Sequence, residues 1–319
     1  MKFRMNAASL IAAAGLVACG NSGADPEGEA ALEPAEAPAA IVEDAVVVPA
    51  SADAAETEPA SEPETVEPAL IIVPEDDASF VERFGGLNEA EWYVADGWGV
   101  PAALNDTLWS RSAIAQTGPG LRFTAAAVEH PDKSFSGASI ERMGRVKYGR
   151  YETIMTAAKG DGLVSAFFTY TGPHFDTEQH EIDFEFLGKD TTQVQLNYYV
   201  RGQGGNETMI DLGYDANTTA NLYAFEWAPD AIRWYIGDVL VHEVRGNEDS
   251  LPSVAGMAFS QLWAGGPPTK EWLGQPVRLD APVMTVDCIS FRSAENPEAP
   301  QCSDGYEGLN TATPNESVR

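Results

Sequence analysis

The chain has 319 residues, 44% of them hydrophobic, which is enough for one large domain or two ordinary ones, and it carries a formal net charge of −30. No cluster of cations is available to pair with phosphates, so nucleic acid is excluded as a partner, and strongly anionic polysaccharides are disfavoured.

The N-terminus, MKFRMNAASLIAAAGLVACG, sets Lys2 and Arg4 ahead of an apolar run from Ala7 to Ala18. That run is short of the ~20 residues a membrane-spanning helix needs. It has the shape of an export signal over residues 1–18. Leu16-Val17-Ala18-Cys19 resembles a bacterial lipobox, which implies cleavage before Cys19, lipid on its sulfur and a membrane anchor. A plain signal peptide with an incidental cysteine is the alternative. Gly20 carries no recognisable retention signal, which favours the outer membrane or cell surface.

Residues 19–77 are rich in Ala, Glu, Pro, Ser and Thr, with sixteen acids between 20 and 77 and no Lys or Arg between Met5 and Glu82. Such a segment buries too little apolar surface to offset its ordering entropy. It is expected to be a disordered, extended linker that holds a domain away from a membrane.

The texture changes at Ser79. RYETIMTAAK, VSAFFTYTG, EIDFEFLG, TQVQLNYYV, YAFEWAP, AIRWYIGDVLVHEV, GMAFSQLWA and MTVDCISFRS each predict a short strand, punctuated by Gly, Pro, Asn and Asp. No segment predicts a helix longer than a turn or two. Many short strands without interleaved helices predict an all-β, antiparallel sandwich or barrel over 78–295. Residues 296–319 return to polar, Pro-containing sequence and are expected to form a flexible tail. Export to an oxidising compartment permits a disulfide between Cys288 and Cys302, closing a loop of about fourteen residues. A buried thiol at Cys288 with a free one at Cys302 is the alternative.

The most unusual strand is HEIDFEFL, His180 to Leu187. Side chains alternate across a strand, so Ile182, Phe184 and Phe186 face a core while Glu181, Asp183 and Glu185 share the other face. Like charges side by side repel, and Thr or Ser would suit a merely wet face better. Glu181 and Glu185 have Cα atoms ~13 Å apart from the rise per residue. Their reach brings the carboxyls toward the ~5–5.5 Å that suits a retaining glycosidase. Asp183 between them would orient one glutamate and raise the pKa of a neighbour. Two other readings remain open: solvated acids on a half-exposed strand, or a cation site, for which one strand supplies too few oxygens. Gln195, Asn197 and Tyr199 alternate along the predicted hairpin partner. Aromatic faces stack on sugar rings, and amides bind hydroxyls. His180 points away from the three carboxylates and shows no metal-ligand spacing with the other histidines.

SAFFTYTGPHF, HEIDFEFLGKDTTQVQLNYY, YAFEWAPDAIRWYIGDVLV and LWAGGPPTKEWLG resemble the lichenases of glycoside hydrolase family 16, over roughly Ser79 to Ser293. They also resemble the related glycanases of succinoglycan-type exopolysaccharides. The strand lacks the extra residue that laminarinase-like members carry before the last glutamate. The resemblance implies a concanavalin A-like β-jelly roll with a concave sheet forming an open cleft. It implies a retaining endo-β-glucanase acting on β-1,4 bonds of mixed-linkage β-1,3-1,4-glucan, with no cofactor required, working as a monomer. It makes Glu181 the nucleophile, Asp183 its assistant and Glu185 the acid/base. Trp98, Phe168, Tyr170, Gln195, Asn197, Tyr199, Gln261, Trp263 and Trp272 fall at sugar-contacting positions, and Asp287 near a structural Ca²⁺ of some members.

Several positions depart from the lichenase pattern. Gln179-His180 stand for Trp-Asp, Ser139 and Glu141 for a Glu and an Arg, Trp98 for a Tyr and Gln261 for an Asn. Asp106 lies near an expected cysteine. All of these bear on which sugar is recognised rather than on the chemistry. Cleavage of an exopolysaccharide, transglycosylation, or non-catalytic glycan binding are therefore alternatives to mixed-linkage glucan hydrolysis.

Overall fold

The alternation read in HEIDFEFL is realised literally: Ile182, Phe184 and Phe186 are fully buried in one cluster with Leu196, Tyr223 and Trp234. Phe184 and Phe186 meet Tyr223 edge-on at centroid distances of 5.8 and 4.8 Å. Burial stabilises each such side chain by ~1.5–3 kcal/mol, which fixes the strand's facing, because a one-residue slip would drive the acids into this core. The computed structural model describes residues 78–100, 104–275 and 282–308. The expected signal segment, Cys19 and the acidic linker lie outside the described residues, as do 309–319.

The strands in chain order are β1 (Phe80–Glu82), β2 (Trp92–Val94), β3 (Thr107–Trp109), β4 (Ile114–Thr117), β5 (Gly120–Thr124) and β6 (Ala126–Ala127). Next come β7 (Phe135–Arg142), β8 (Gly149–Thr156), β9 (Leu163–Thr171), β10 (His180–Leu187), β11 (Gln193–Val200) and β12 (Thr208–Asp211). They end with β13 (Asn221–Ala228), β14 (Ala231–Ile236), β15 (Val239–Arg245), β16 (Met257–Ala264) and β17 (Val283–Ser293). Among the described residues the one α-helix is the single turn α1 (Lys270–Leu273).

Two sheets form. One runs β15-β14-β13-β8-β17-β5-β4 with β1 on β17, and the other runs β12-β11-β10-β9-β16-β7-β2 with β3 and β6 on β7. Pairing is antiparallel as expected, except for β3, which lies parallel to β7. The main core lies between the sheets. A second apolar cluster, including Val164, Phe168, Tyr170, Phe259, Trp263 and Trp109, covers the other face of the β10 sheet. Near the cysteine position of the lichenase pattern, Asp106 ties strand ends by hydrogen bonds instead: its Oδ1 accepts from the Ser134 amide at 2.9 Å and its own amide donates to the Ala264 carbonyl at 2.9 Å.

The segment from 296 to 308 departs from the flexible tail expected of it. Cys302 is bonded to Cys288 and fully buried, with their Cα atoms 5.8 Å apart. It packs with Ile154 and Leu222 on the face of the β8 sheet turned away from the main core. The Cys302 amide donates to Ser290 Oγ, Ser303 donates twice to the fully buried Glu152, and Tyr306 Oη donates to the Ala220 carbonyl. Glu152 also pairs with Arg150 at 2.6 Å. A polar sequence is held here because it satisfies a buried charge and a covalent staple.

Candidate active site

β10 lies between β9 and β11, so each of its carboxylates has a neighbour on either side. Glu181 stands between Tyr170 and Tyr199, Asp183 between Phe168 and Asn197, and Glu185 between Ala166 and Gln195. The rows continue across β16 and β7: Phe259 beside Phe168, Gln261 beside Ala166, then Glu141 beside Phe259 and Ser139 beside Gln261. Tyr93 on β2 extends the middle row past Glu141. These side chains share one face of the sheet, opposite the main core.

The three acids are recessed, with 3%, 4% and 9% of Glu181, Asp183 and Glu185 exposed. An ordinary solvated strand is thereby excluded, and the acids are held by specific donors. Gln179 Nε2 donates to Glu181 Oε2 at 2.8 Å, and Gln195 Nε2 donates to Glu185 Oε2 at 2.8 Å. Trp272 Nε1 donates to Gln195 Oε1 at 2.9 Å and so fixes that amide's orientation. The Asp183 carboxyl hydrogen-bonds Glu181, while its Oδ2 is buried without a partner. From the opposite sheet, Trp234 Nε1 donates to the Asp183 carbonyl at 3.2 Å and pins the middle of the strand.

Burial shifts all three acids. It pushes Glu181 up to about 8, with the Gln179 bond pulling down and the Glu185 charge pushing up. It pushes Glu185 up to about 7 against the Gln195 bond. Asp183 is raised well above the usual carboxylate range, first by burial and then by the Glu181 and Glu185 charges. Near neutrality the trio therefore holds fewer than three charges, and its protons come off as those of a coupled set. The hydrogen bond between Asp183 and Glu181 raises Asp183 and lowers Glu181, which favours the shared proton on the Asp183 side. Glu181 has two donors and Glu185 one, so hydrogen bonding favours the ionised form more at Glu181, although burial still leaves Glu181 the higher of the two. This arrangement is equipped for nucleophilic attack by one carboxylate and proton transfer by another.

The remaining expected site residues fall on or beside the same face. Phe168 stacks on Phe259 at 5.0 Å, and Phe168, Tyr170 and Trp263 are largely buried in the second apolar cluster. Trp263 and Trp272 lie 6.0 Å apart at the end where Gln195 sits. Trp98 Nε1 donates to Tyr93 Oη at 3.1 Å, and Gln261 Nε2 donates to Ser139 Oγ at 3.0 Å. Asn197 Oδ1 accepts from the Tyr198 amide at 2.9 Å. His180 lies on the other face, its Nδ1 accepting from the Ser253 amide at 3.3 Å.

Sequence reasoning missed several contributors. Glu207, in the loop after β11, bears electrostatically on Glu185 and Asp183. Glu141, already named among the positions that bear on sugar recognition, is pushed up to about 7 by burial, and its place two strands beyond β9 in the Asp183 row is what the sequence did not show. Phe259 was legible as the alternate position before Gln261 and Trp263. Gly204 and Gly172 have no side chain because a Cβ would lie 2.3 Å from the Tyr199 ring and from the Tyr170 hydroxyl. Two loops thus press directly on the tyrosines that flank Glu181.

The calcium expected near Asp287 finds no support among the described side chains. Asp287 is the extra residue of a β-bulge between Val286 and Cys288, and burial raises it above the usual carboxylate range. Among the described residues no group of three His, Cys, Asp or Glu side chains could hold a metal ion.

Comparison with known proteins agrees with this geometry. Residues 104–279 match the family model described as glycosyl hydrolases family 16. The chain is 40% identical over 195 residues to a beta-glucanase of Paenibacillus polymyxa, covering 61% of this chain and 79% of that protein. It is 38% identical over 216 residues to an endo-1,3-1,4-beta-glycanase of Rhizobium meliloti, covering 68% of this chain and 79% of that protein. The solved Bacillus licheniformis beta-glucanase superposes with a TM-score of 0.63 at 34% identity, covering 67% of this chain and 98% of that one. An all-β sandwich with a recessed trio of carboxylates, matched by a family model over more than half of its length, places the chain plainly: it belongs to the glycosyl hydrolases of family 16.

Proposed function

We propose that the chain is a retaining endo-β-glucanase that hydrolyses β-1,4 bonds in mixed-linkage β-1,3-1,4-glucan. The observation that carries this reading is the recessed row of Glu181, Asp183 and Glu185, each glutamate gripped by one amide. The named glucanase relatives support the choice of substrate.

In the first step a Glu181 oxygen bonds to the anomeric carbon, the glycosidic C–O bond breaks, and the departing oxygen takes the Glu185 proton. Positive charge developing at the anomeric carbon favours ionised Glu181, while the leaving oxygen favours protonated Glu185. In the second step Glu185 takes a proton from water, the water oxygen bonds to the same carbon, and Glu181 leaves as carboxylate. Two displacements retain the β configuration. No step calls on a metal or an organic cofactor.

A second reading, the same chemistry on a bacterial exopolysaccharide, is supported by the Rhizobium meliloti relative and by the altered residues Ser139, Glu141 and Gln261 along the face. The test is incubation with barley β-glucan, laminarin, xyloglucan and succinoglycan, following fragment size and the anomer first released. The expected result is short oligosaccharides from barley β-glucan with the β anomer first. Fragments from succinoglycan alone would move the assignment to the second reading, and enlarged oligosaccharides would show a transferase. We further propose export and lipid anchoring through Cys19, supported by the sequence Leu16 to Cys19.

A further inference from the structure

We propose that Gln179 is a positioning residue for Glu181: its side-chain amide holds one carboxylate oxygen of the nucleophile so that the other is presented to the anomeric carbon. The inference rests on the reading of Glu181 as nucleophile and goes beyond it. Gln179 immediately precedes β10, and as the second residue before Glu181 it sits on the same face of the extended chain. Its backbone carbonyl accepts from the Gly202 amide at 3.0 Å, so the turn after β11 fixes the residue in place. Its Nε2 then reaches Glu181 Oε2 at 2.8 Å. The arrangement mirrors that at the other glutamate, where Gln195 Nε2 meets Glu185 Oε2 at 2.8 Å. The two amides approach from opposite sources, one along the strand and one across the ladder.

A donated bond strengthens as its acceptor gains charge, so Gln179 favours the ionised form of Glu181 and opposes burial there. It weakens when Glu181 becomes an ester, and it recovers when the carboxylate departs in the second step. The other titratable groups facing Glu181 are Asp183 and Glu185 on β10, Tyr170 on β9 and Tyr199 on β11, with Glu207 acting on the same cluster. All of these are acids. Among the groups bearing on Glu181, Gln179 and Asp183 are the ones that pull its proton affinity down.

The test compares Gln179→Met, Gln179→Glu, Glu181→Ala and the parent chain at full length on barley β-glucan, with kcat, KM and thermal unfolding followed across pH. Gln179→Met is expected to lower kcat about tenfold with KM within about twofold, since it removes a charge-assisted bond but no sugar contact. The acid limb of kcat/KM, which reports the group that must be ionised, is expected to move up by about half a unit to one unit. Gln179→Glu keeps the shape: protonated, the new carboxyl still donates, so activity survives at low pH and falls as it ionises. A packing role would lower the unfolding temperature and leave the acid limb in place. Unchanged kcat and acid limb in both folded variants, with Glu181→Ala inactive, would overturn the inference alone. Full activity in Glu181→Ala would overturn the nucleophile assignment and this inference with it.

Discussion

Glu185→Ala lowers kcat/KM on a β-glucan by ~10²–10⁴-fold, the range expected when a general acid/base is lost, and Glu181→Ala lowers it further because no covalent route remains. The two variants differ in kind as well as in size. Without Glu185 the leaving oxygen has no proton donor, so an aryl glycoside with an acidic phenol, which needs none, should lose far less in the first step. The glycosyl-enzyme then accumulates, because water lacks its base. Added azide, needing no base, attacks that intermediate and gives a β-glycosyl azide. Without Glu181, azide can only take the nucleophile's place on the opposite side of the ring, giving the α-glycosyl azide. Both glutamates are at least nine-tenths buried, so truncation also relieves like-charge repulsion in the trio. Neither variant is expected to be less stable than the parent, which separates lost chemistry from lost fold. Equal rates for Glu185→Ala and the parent on the glucan would contradict the assignment.

Replacing both cysteines, Cys288→Ala with Cys302→Ala, is expected to cost ~3 kcal/mol, the chain-entropy value for a loop of about this length. That corresponds to a lower unfolding temperature by roughly 6–12 °C for a domain of this size. The strap does more than close a loop. Cys302 and the Ser303 that follows hold Ser290 and the fully buried Glu152. A strap that lifts away leaves the Glu152 carboxylate with Arg150 alone on the described chain, and a buried charge that loses partners is costly. These contacts lie on the β8 sheet, on the face remote from the main core, whereas the acids lie on the far side of the other sheet. Turnover well below the new unfolding temperature should therefore stay within about twofold of the parent. Calorimetry under non-reducing conditions checks the shift, and an unchanged unfolding temperature would show that the strap is passive.

Much of the site was legible because it is local. Period-two alternation put Glu181, Asp183 and Glu185 on one face and three large apolar residues on the other, and the Phe core then settled which way the strand turned. Gln195, Asn197 and Tyr199 follow from the hairpin partner by the same rule. Gln179 was assigned to sugar recognition rather than to the chemistry; its hydrogen bond to Glu181 needed coordinates, because a side chain's reach does not fix its partner. The far end of the face was out of reach: Glu141, Phe259 and Asp183 share a row although they are separated by more than forty residues at each step, and a crossover topology brings them together. The strap was misjudged on composition. Its polar residues look solvated until a disulfide and a buried acid on another strand give them partners. The parallel seat of β3 on β7 left no local signal at all.

The most direct test of the central claim is to trap the intermediate. A slow 2-fluoro glucan-oligosaccharide substrate with a good leaving group is incubated with the full-length chain, which is then digested and its peptides weighed and fragmented. The account predicts one sugar per chain, ester-linked to Glu181, on the peptide that carries HEIDFEF. Label on Glu185 or on any other residue, or complete turnover to the α anomer with no labelled peptide, would contradict it.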